Sequence, residues 1–219
     1  MRKKFFALAA LALMLPSLTA IAGIGNKFGV VGLGDYSHVR YQGYKPTSVL
    51  TGGAGVSYKL NLGSGFALQP ELLYNVKSAG LGYYMAGTRI DYLQNTIGYV
   101  ELPFMISWGQ DFNWYRSFFF VQPYVGYGVT CETEYLGTSS KILRANKWEE
   151  QNLSRFEYGI GVGVGFEFLR YQLRLQYANG LGGMCAQASK STDLIHQMNG
   201  YSLKNSSFSS LQVVLGIFF

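Results

Sequence analysis

Hydrolytic catalysis needs a nucleophile, a base within reach of it and a group that orients the base. The chain has only two histidines, His38 and His196. Ser37 precedes His38, but adjacent residues of an extended segment point to opposite faces, so the two are a poor nucleophile and base. The sequence therefore predicts a protein without catalytic activity.

The two cysteines, Cys131 and Cys185, are the other residues with reactive side chains. Together with the two histidines they show no spacing typical of a zinc site, and no cofactor is predicted. In an oxidising compartment they could form a disulfide bond between two loops. Spacing alone does not bring their Cα atoms within reach, so a disulfide and two free thiols both remain open.

A glycine-rich stretch from Phe156 to Phe168 has the composition of a phosphate-binding loop. A dinucleotide-binding fingerprint lies at a turn from strand to helix, however, whereas these glycines alternate with apolar residues throughout. Such alternation is typical of a strand, and its length fits or exceeds the ~9–11 residues with which a tilted strand crosses a membrane. We interpret the stretch as one strand of a membrane β-barrel, with its glycines facing the interior.

The N-terminus predicts export. Basic residues at Arg2–Lys4 precede an apolar core at Phe5–Leu15, and Ala20–Ala22 forms a small-x-small cleavage site. We predict a cleavable signal peptide over residues 1–22 and one mature domain over residues 23–219. Localisation to the cell outer membrane follows if that domain is a barrel.

Composition supports the same class. Charged residues make up 14% of the chain, against ~25% in typical soluble domains. Removing the three basic residues of the signal peptide lowers the formal charge from +6 to +3. Nucleic-acid binding therefore has no support. No later run of apolar residues reaches the ~18 of a transmembrane helix.

Seven further segments show an alternating or partly alternating pattern. We predict an all-β fold, an eight-stranded antiparallel up-and-down transmembrane β-barrel with long outer loops and short periplasmic turns. Both termini would then be periplasmic. The predicted strands are about 27–36, 50–62, 66–77, 97–108, 118–130, 156–168, 171–178 and 211–219. The predicted long loops are about 37–49, 78–96, 131–154 and 179–207.

Three residues disturb the pattern. Val31 and Leu33 interrupt the alternation of the first strand, so its register stays open. Pro70 lies within the third strand, where a proline normally marks an edge or a bulge, and we expect a local irregularity there.

Charge on the lipid face costs a few kcal/mol near the midplane. In strands two to eight every charged residue falls on the predicted interior face. These residues are Lys59, Glu71, Lys77, Glu101, Glu157, Glu167 and Arg174. Because side chains fill the interior of an eight-stranded barrel, we predict a polar cluster in which Glu71 and Glu101 neutralise Arg174 or Lys59. A path for protons or ions is the alternative.

The interior glycines of strand six leave room for large neighbours. We expect Phe118, Phe120 and Tyr124 of strand five to fill it, since small barrels place small residues beside large ones.

Basic residues populate the predicted outer loops: Arg40, Lys45, Arg89, Lys141, Arg144, Lys147, Lys190 and Lys204. They could bind lipopolysaccharide phosphates, and ordinary solvation explains them equally well. Outer-membrane lipid is the expected surrounding of the strands.

The C-terminus resembles a known sorting signal. Leu215, Ile217 and Phe219 stand at every second position up to the final residue. This pattern is similar to the signal by which outer-membrane barrels are recognised for insertion, which implies the barrel-assembly machinery as a partner.

The middle of the chain resembles the PorT-like family of outer-membrane β-barrels, and small OmpA/OmpX-like barrels more broadly. The segments that carry the resemblance are 68–74, 99–103, 122–127 and 158–161. It implies the barrel class and supplies no catalytic residues. The family's name comes from a protein associated with secretion across the outer membrane, which implies a secretion machine as a further partner.

We therefore weigh three functions. The leading one is a non-enzymatic envelope component or loop-mediated binder. The second is an accessory of a secretion machine, acting through the turn at Gly109–Ser117. The third is a lipid A-modifying enzyme. Barrel lipid A deacylases carry a His-x-Ser element, which is absent after His38 and His196. A soluble periplasmic β-protein is the alternative architecture.

Overall fold

A computed structural model describes residues 26–39, 45–85, 88–136, 142–185, 194–203 and 206–219. The predicted signal peptide lies outside these ranges. The strands are β1 (Lys27–Val39), β2 (Lys45–Gly63), β3 (Phe66–Met85), β4 (Thr88–Asp111), β5 (Tyr115–Leu136), β6 (Ile142–Ala145), β7 (Phe156–Phe168), β8 (Tyr171–Gly180) and β9 (Phe208–Phe218). The helices are α1 (Trp148–Gln151) and α2 (Leu194–Ser202).

Every strand except β6 belongs to one closed antiparallel barrel. Sequence neighbours pair from β1 to β5 and from β7 to β9, β5 pairs with β7, and β1 pairs with β9 to close the ring. The prediction of an eight-stranded up-and-down barrel is therefore confirmed. The short β6 pairs only with the far end of β5. Within the described residues, neither helix is long and apolar enough to span a membrane.

Tight turns join the strands at one end of the barrel, which we call the short-turn end. The β2–β3 turn has three successive residues at positive φ, with Gly63 at 84°, Ser64 at 52° and Gly65 at 80°. Glycine adopts this region without steric cost, which explains why two of the three are glycines. The β7–β8 turn places Leu169 at φ 54°.

At the opposite end, the long-loop end, the strands run past their predicted limits. β3, β4 and β5 contain 20, 24 and 22 residues, about twice the ~9–11 that a membrane crossing needs. The prediction of a long loop over 78–96 is wrong, because Ser78 pairs with Thr96 and Leu81 with Leu93 in a continuing hairpin. Beyond the length that crosses a membrane, strand pairing still satisfies the backbone groups, but the outer face does not have to be apolar. The sequence pattern that predicts a membrane strand is therefore missing there.

The structure sets the register of β1. Val31 and Leu33 face the interior, where they pack with Leu73 and Val214 in a buried apolar cluster. The residues that disturbed the alternation are thus interior residues of apolar type. The interior of the barrel therefore combines buried polar residues with apolar clusters, and this layer is one of those clusters.

Pro70 does not shift the register. Pro70 pairs with Phe104 and Leu73 with Glu101, at the same offset on both sides. The expected irregularity is therefore limited to a gap in the ladder. A proline removes one donor, and the bonds on either side hold the strands in place.

Glycines of β7 face aromatic residues of β5, as predicted. Phe118 lies opposite Gly165 and Phe120 opposite Gly163. A Cβ atom added at Gly165 would lie 2.2 Å from Cζ of Phe118, and one at Gly163 would lie 2.6 Å from Cζ of Phe120. The aromatic rings therefore occupy the space that the glycines leave.

Candidate functional site

The barrel interior is the candidate site, because its charged side chains are buried in three layers along the axis. The middle layer contains Glu71 of β3 and Arg174 of β8. Nη2 of Arg174 lies 2.8 Å from Oε1 of Glu71, and each side chain is only 1% exposed. The same carboxylate accepts hydrogen bonds from Ser57 at 3.2 Å, Gln69 at 2.7 Å and Gln122 at 3.1 Å. Four donors therefore converge on one buried carboxylate.

The layer towards the long-loop end is organised by Lys77 of β3. Its Nζ lies 2.8 Å from Oε1 of Glu101 and 2.9 Å from Oε1 of Glu157. The hydroxyl of Tyr124 donates to the same oxygen of Glu157 at 3.1 Å. The Lys77 ammonium also lies 4.7 Å from the centroid of the Tyr124 ring, a cation–π contact.

The layer at the short-turn end contains Lys59, Arg116 and Glu167. Nζ of Lys59 donates to Oε2 of Glu167. Arg116 is buried, with Nη1 3.6 Å from Oε1 of Glu167, although the sequence placed it in a turn. Arg116 is two and four positions before Phe118 and Phe120. Residues at such even spacing in an extended strand lie on the same face, and this spacing is the signal that predicts an interior position for Arg116.

The predicted cluster is thus brought together in part. Lys59, Glu71, Glu101 and Arg174 are all buried in the interior, and Glu71 meets Arg174. The predicted neutralisation of Glu101 by Arg174 or Lys59 is wrong, because Glu101 pairs with Lys77. Pairing across the interior depends on the height of each residue along the barrel axis, which the stagger of tilted strands determines.

Asp35 of β1 is a buried acid that the sequence did not assign, because the register of β1 was open. Its carboxylate accepts hydrogen bonds from Ser37 at 2.6 Å, Asn75 at 3.0 Å and Gln212 at 2.6 Å. Asn75 also donates to Glu101 at 3.5 Å. The acid is therefore held by neutral donors.

Loop segments fold over the long-loop end. Gln151 of α1 donates to the carbonyl of Ala145 at 2.8 Å, and Thr133 of β5 donates to Gln151 at 2.7 Å. Asn199 of α2 donates to the carbonyl of Gln151 at 2.8 Å. All three polar side chains are buried. We call this arrangement of β6, α1 and α2 the cap.

Apolar packing supports the cap. Leu153, Met184 and Leu203 from the loop segments join strand residues near the long-loop end in one buried cluster. The strand residues of this cluster are Val39, Ala79, Leu81, Ile97, Tyr99 and Phe208. The cap is therefore part of the folded core.

No disulfide bond joins Cys131 to Cys185 in the structure. The Cys131 thiol donates to the carbonyl of Asn146 at 3.8 Å, and the Cys185 thiol donates to that of Asn199 at 3.2 Å. Burial raises the pKa of the Cys185 thiol to about 11. Of the two options that the sequence left open, the structure has two separate thiols, each directed at a different backbone carbonyl.

Ser37 and His38 do not form a catalytic pair in the structure. Ser37 is buried and donates to Asp35, whereas His38, the next residue of the strand, is on the other face. Among the described residues, no group of three or more His, Cys, Asp or Glu side chains could hold a metal ion. The chemistry of the interior is charge neutralisation.

The C-terminal residues lie on the outer face of β9. Leu215, Ile217 and Phe219 are exposed, Phe219 by 72%. The backbone N–H of Phe219 donates to the carbonyl of Phe28 at 2.7 Å. The predicted insertion signal therefore stands at the seam where the two ends of the chain close the barrel.

Comparison with known proteins gives one family match. The family described as "Outer membrane protein beta-barrel domain" matches residues 22–184. No curated protein matches the chain significantly.

Several solved structures are similar at low identity. Ail, the attachment invasion locus protein of Yersinia pestis, is 11% identical, with 88% of this chain and 99% of Ail covered and a TM-score of 0.43. Neisserial surface protein A is 12% identical, with coverages of 89% and 99% and a TM-score of 0.42. A major outer membrane protein from Thermus thermophilus is 12% identical, with coverages of 89% and 100% and a TM-score of 0.47.

Proposed function

The chain belongs to the outer membrane protein beta-barrel domain family, and on that premise we propose that it is a non-enzymatic envelope component that acts through its long-loop end. The observation that carries the proposal is the filled interior. Buried ion pairs occupy three layers along the axis, and the cap covers one end. These layers and the cap lie across the described part of the barrel, and on that ground we propose that it does not conduct solutes.

The small space beside Lys77 supports this proposal. A cavity beside Lys77, lined also by Glu101, Gln122 and Gln176, has a volume of about 10 Å³, which is room for one water molecule. The glycine–aromatic contacts between β5 and β7 fill the interior further. A barrel of this kind contributes a rigid frame that presents loops.

The surrounding of the barrel follows from its outer face. Large apolar side chains are exposed along every long strand, and we propose that outer-membrane lipid covers them.

Contact with lipopolysaccharide phosphates is part of the same proposal. Of the basic loop residues named from the sequence, Arg40, Lys141, Lys190 and Lys204 lie outside the described residues. Arg144 and Lys147 are exposed and already paired with Glu134 and Glu150. Among the basic loop residues whose side chains the structure describes, contact with phosphates would use the remaining N–H groups of Arg144 and Lys147.

Conductance tests the filled interior. We expect the purified protein to produce no stepwise channels in a planar lipid bilayer, and the variant Arg174→Ala, which removes a side chain from the middle layer, to produce no more than a small leak. Stable channels from the unmodified protein would overturn the proposal.

Orientation is tested in whole cells. We propose that residues 1–22 are removed on export, that both termini are periplasmic and that the long-loop end faces outwards. An epitope tag inserted within residues 137–141 should be detected on intact cells, whereas a tag at Asn113 should be detected only after lysis. The reverse pattern would contradict the orientation.

A second candidate is a PorT-like role as an accessory of a secretion machine. The observation in its favour is the β4–β5 hairpin, where Trp114 is 66% exposed and packs edge-on against Phe168 at 5.7 Å between centroids. An exposed aromatic residue at a turn suits a protein contact. If Trp114→Ala and replacement of the whole hairpin leave secretion unchanged, this candidate loses its contact surface.

We also propose that the protein does not modify lipid. The lipid A of a deletion strain should have the same mass spectrum as that of the parent strain. A changed acyl pattern, restored by the intact gene, would show enzymatic activity.

A further inference from the structure

A cavity opens at the short-turn end of the barrel, and no function described above uses it. Its volume is about 260 Å³, and it lies between the start of β1, the β2–β3 turn and the β4–β5 hairpin. The charged residues that line it are Lys27, Lys59, Arg116, Asp111 and Glu167. Three cations and two carboxylates give this lining a net charge of +1.

The cations of this cavity have unused hydrogen-bonding capacity. Arg116 is held in place by a bond from Nη2 to the carbonyl of Gly65 at 2.8 Å. Its Nε and Nη1 atoms are buried and have no hydrogen-bond acceptor among the described residues. The nearest carboxylate oxygens, on Asp111 and Glu167, lie 3.5 Å from Nε and 3.6 Å from Nη1, beyond a good hydrogen bond.

The two lysines add further donors. Lys59 donates to Glu167, which uses one of the three N–H bonds of its ammonium group. Lys27 is half-buried in the same lining and forms no ion pair with any residue that the structure describes. A fixed arginine and two lysines around one opening match the charge and the donors that an oxyanion requires.

We propose that this cavity binds a small oxyanion, a phosphate or a carboxylate group. The ligand would lie between Lys27 and Lys59, with the Arg116 guanidinium as a fixed charge behind them. Asp111, whose side chain is 75% exposed, competes for the arginine and limits the affinity. The proposal does not depend on which side of the membrane the short turns face.

Titration of the full mature chain in uncharged detergent micelles tests the site. Inorganic phosphate, and separately acetate, is added at constant ionic strength while the backbone amide signals of Ser64 and Gly65 are followed by NMR. We expect saturable shifts at these amides and none at Glu134, at the far end of the barrel.

Three variants assign the effect. Lys27→Gln removes an unpaired charge from the lining and should weaken binding about fivefold or more. Asp111→Asn removes the competing carboxylate and should strengthen binding by a similar factor. Both factors are those expected for one charge at about 4 Å in a wet site. Arg144→Gln is the matched control at the other end and should leave binding unchanged.

A gain of affinity in Asp111→Asn cannot result from misfolding, so the series remains decisive if Lys27→Gln folds poorly. Shifts that grow linearly without saturation, or equal affinities in all variants, would overturn the proposal and leave only water in the cavity.

The source of the oxyanion is distinguished by a second arm. In nanodiscs that contain phosphatidylglycerol, a lipid headgroup bound at the site would shift the amides of Ser64 and Gly65 without added phosphate. If added phosphate still produces the full saturable shift there, the ligand is a soluble anion. Both results support the oxyanion site and separate its two sources.

Discussion

The Glu71–Arg174 pair allows the strongest quantitative prediction. Replacing Glu71 with Gln leaves a buried guanidinium without its carboxylate and turns an acceptor of four hydrogen bonds into a group that also donates. Breaking a buried ion pair by removing one partner costs about 3–5 kcal/mol. We expect the free energy of unfolding of Glu71→Gln to fall by about that amount, because the new amide also places an N–H group against side chains that donate to the carboxylate.

The matched control is Glu134→Gln. Its carboxylate lies 2.8 Å from Nη2 of Arg144, the same distance as in the buried pair, but the two side chains are 36% and 64% exposed. In the variant, water solvates the Arg144 charge that remains, so we expect a loss of about 0–1 kcal/mol. Because the two ion pairs have the same distance, the difference between the stability losses of the two variants measures the effect of burial.

The assay is reversible urea unfolding of the protein in lipid vesicles, followed by tryptophan fluorescence. A third variant, Glu71→Gln with Arg174→Met, removes the uncompensated charge and should recover most of the lost stability. Equal small losses in Glu71→Gln and Glu134→Gln would refute the reasoning, because the interior would then solvate charge as well as the surface does.

Three further predictions concern packing, thiol chemistry and assembly. Gly165→Ala should lose about 1–3 kcal/mol by overpacking against Phe118, whereas Gly161→Ala, whose Cβ would meet nothing closer than 3.6 Å, should be close to neutral in the same unfolding assay. Because burial raises the pKa of Cys185 to about 11, its thiol is protonated at neutral pH. The rate of its maleimide labelling, followed by mass spectrometry, should rise steadily with pH up to that value. Fast labelling of the folded protein at neutral pH would contradict this. Deleting Phe219 should lower the yield of assembled barrel in cells, measured by heat-modifiable gel mobility, with little change in the stability of the barrel that does form; unchanged yield would argue against an insertion signal.

Much of the fold was predictable because strand alternation is a local signal. The residues of β7 and β8 reveal their two faces without reference to any other strand, and the match of Phe168 with Tyr171 across their turn follows from the same rule. The glycine–aromatic contact between β5 and β7 was predictable too. The two strands are neighbours, and alternation places the glycines of one and the aromatic residues of the other on the same interior face. In the hairpin over 78–96, by contrast, the apolar residues Ala79, Leu81 and Leu93 are buried rather than on the outer face, so the apolar outer face that marks the other strands is missing.

Local alternation is enough to predict that charged side chains turn inwards, since lipid excludes them from the other face. Which charges meet depends on the closed barrel. Arg174 and Glu71 are 103 positions apart, and Lys77 rather than Arg174 neutralises Glu101. Arg116 and Asp35 likewise meet their partners only in the closed ring. Alternation fixes the face of each side chain, but contact across a barrel depends on strand tilt and stagger, which arise only when the sheet closes on itself.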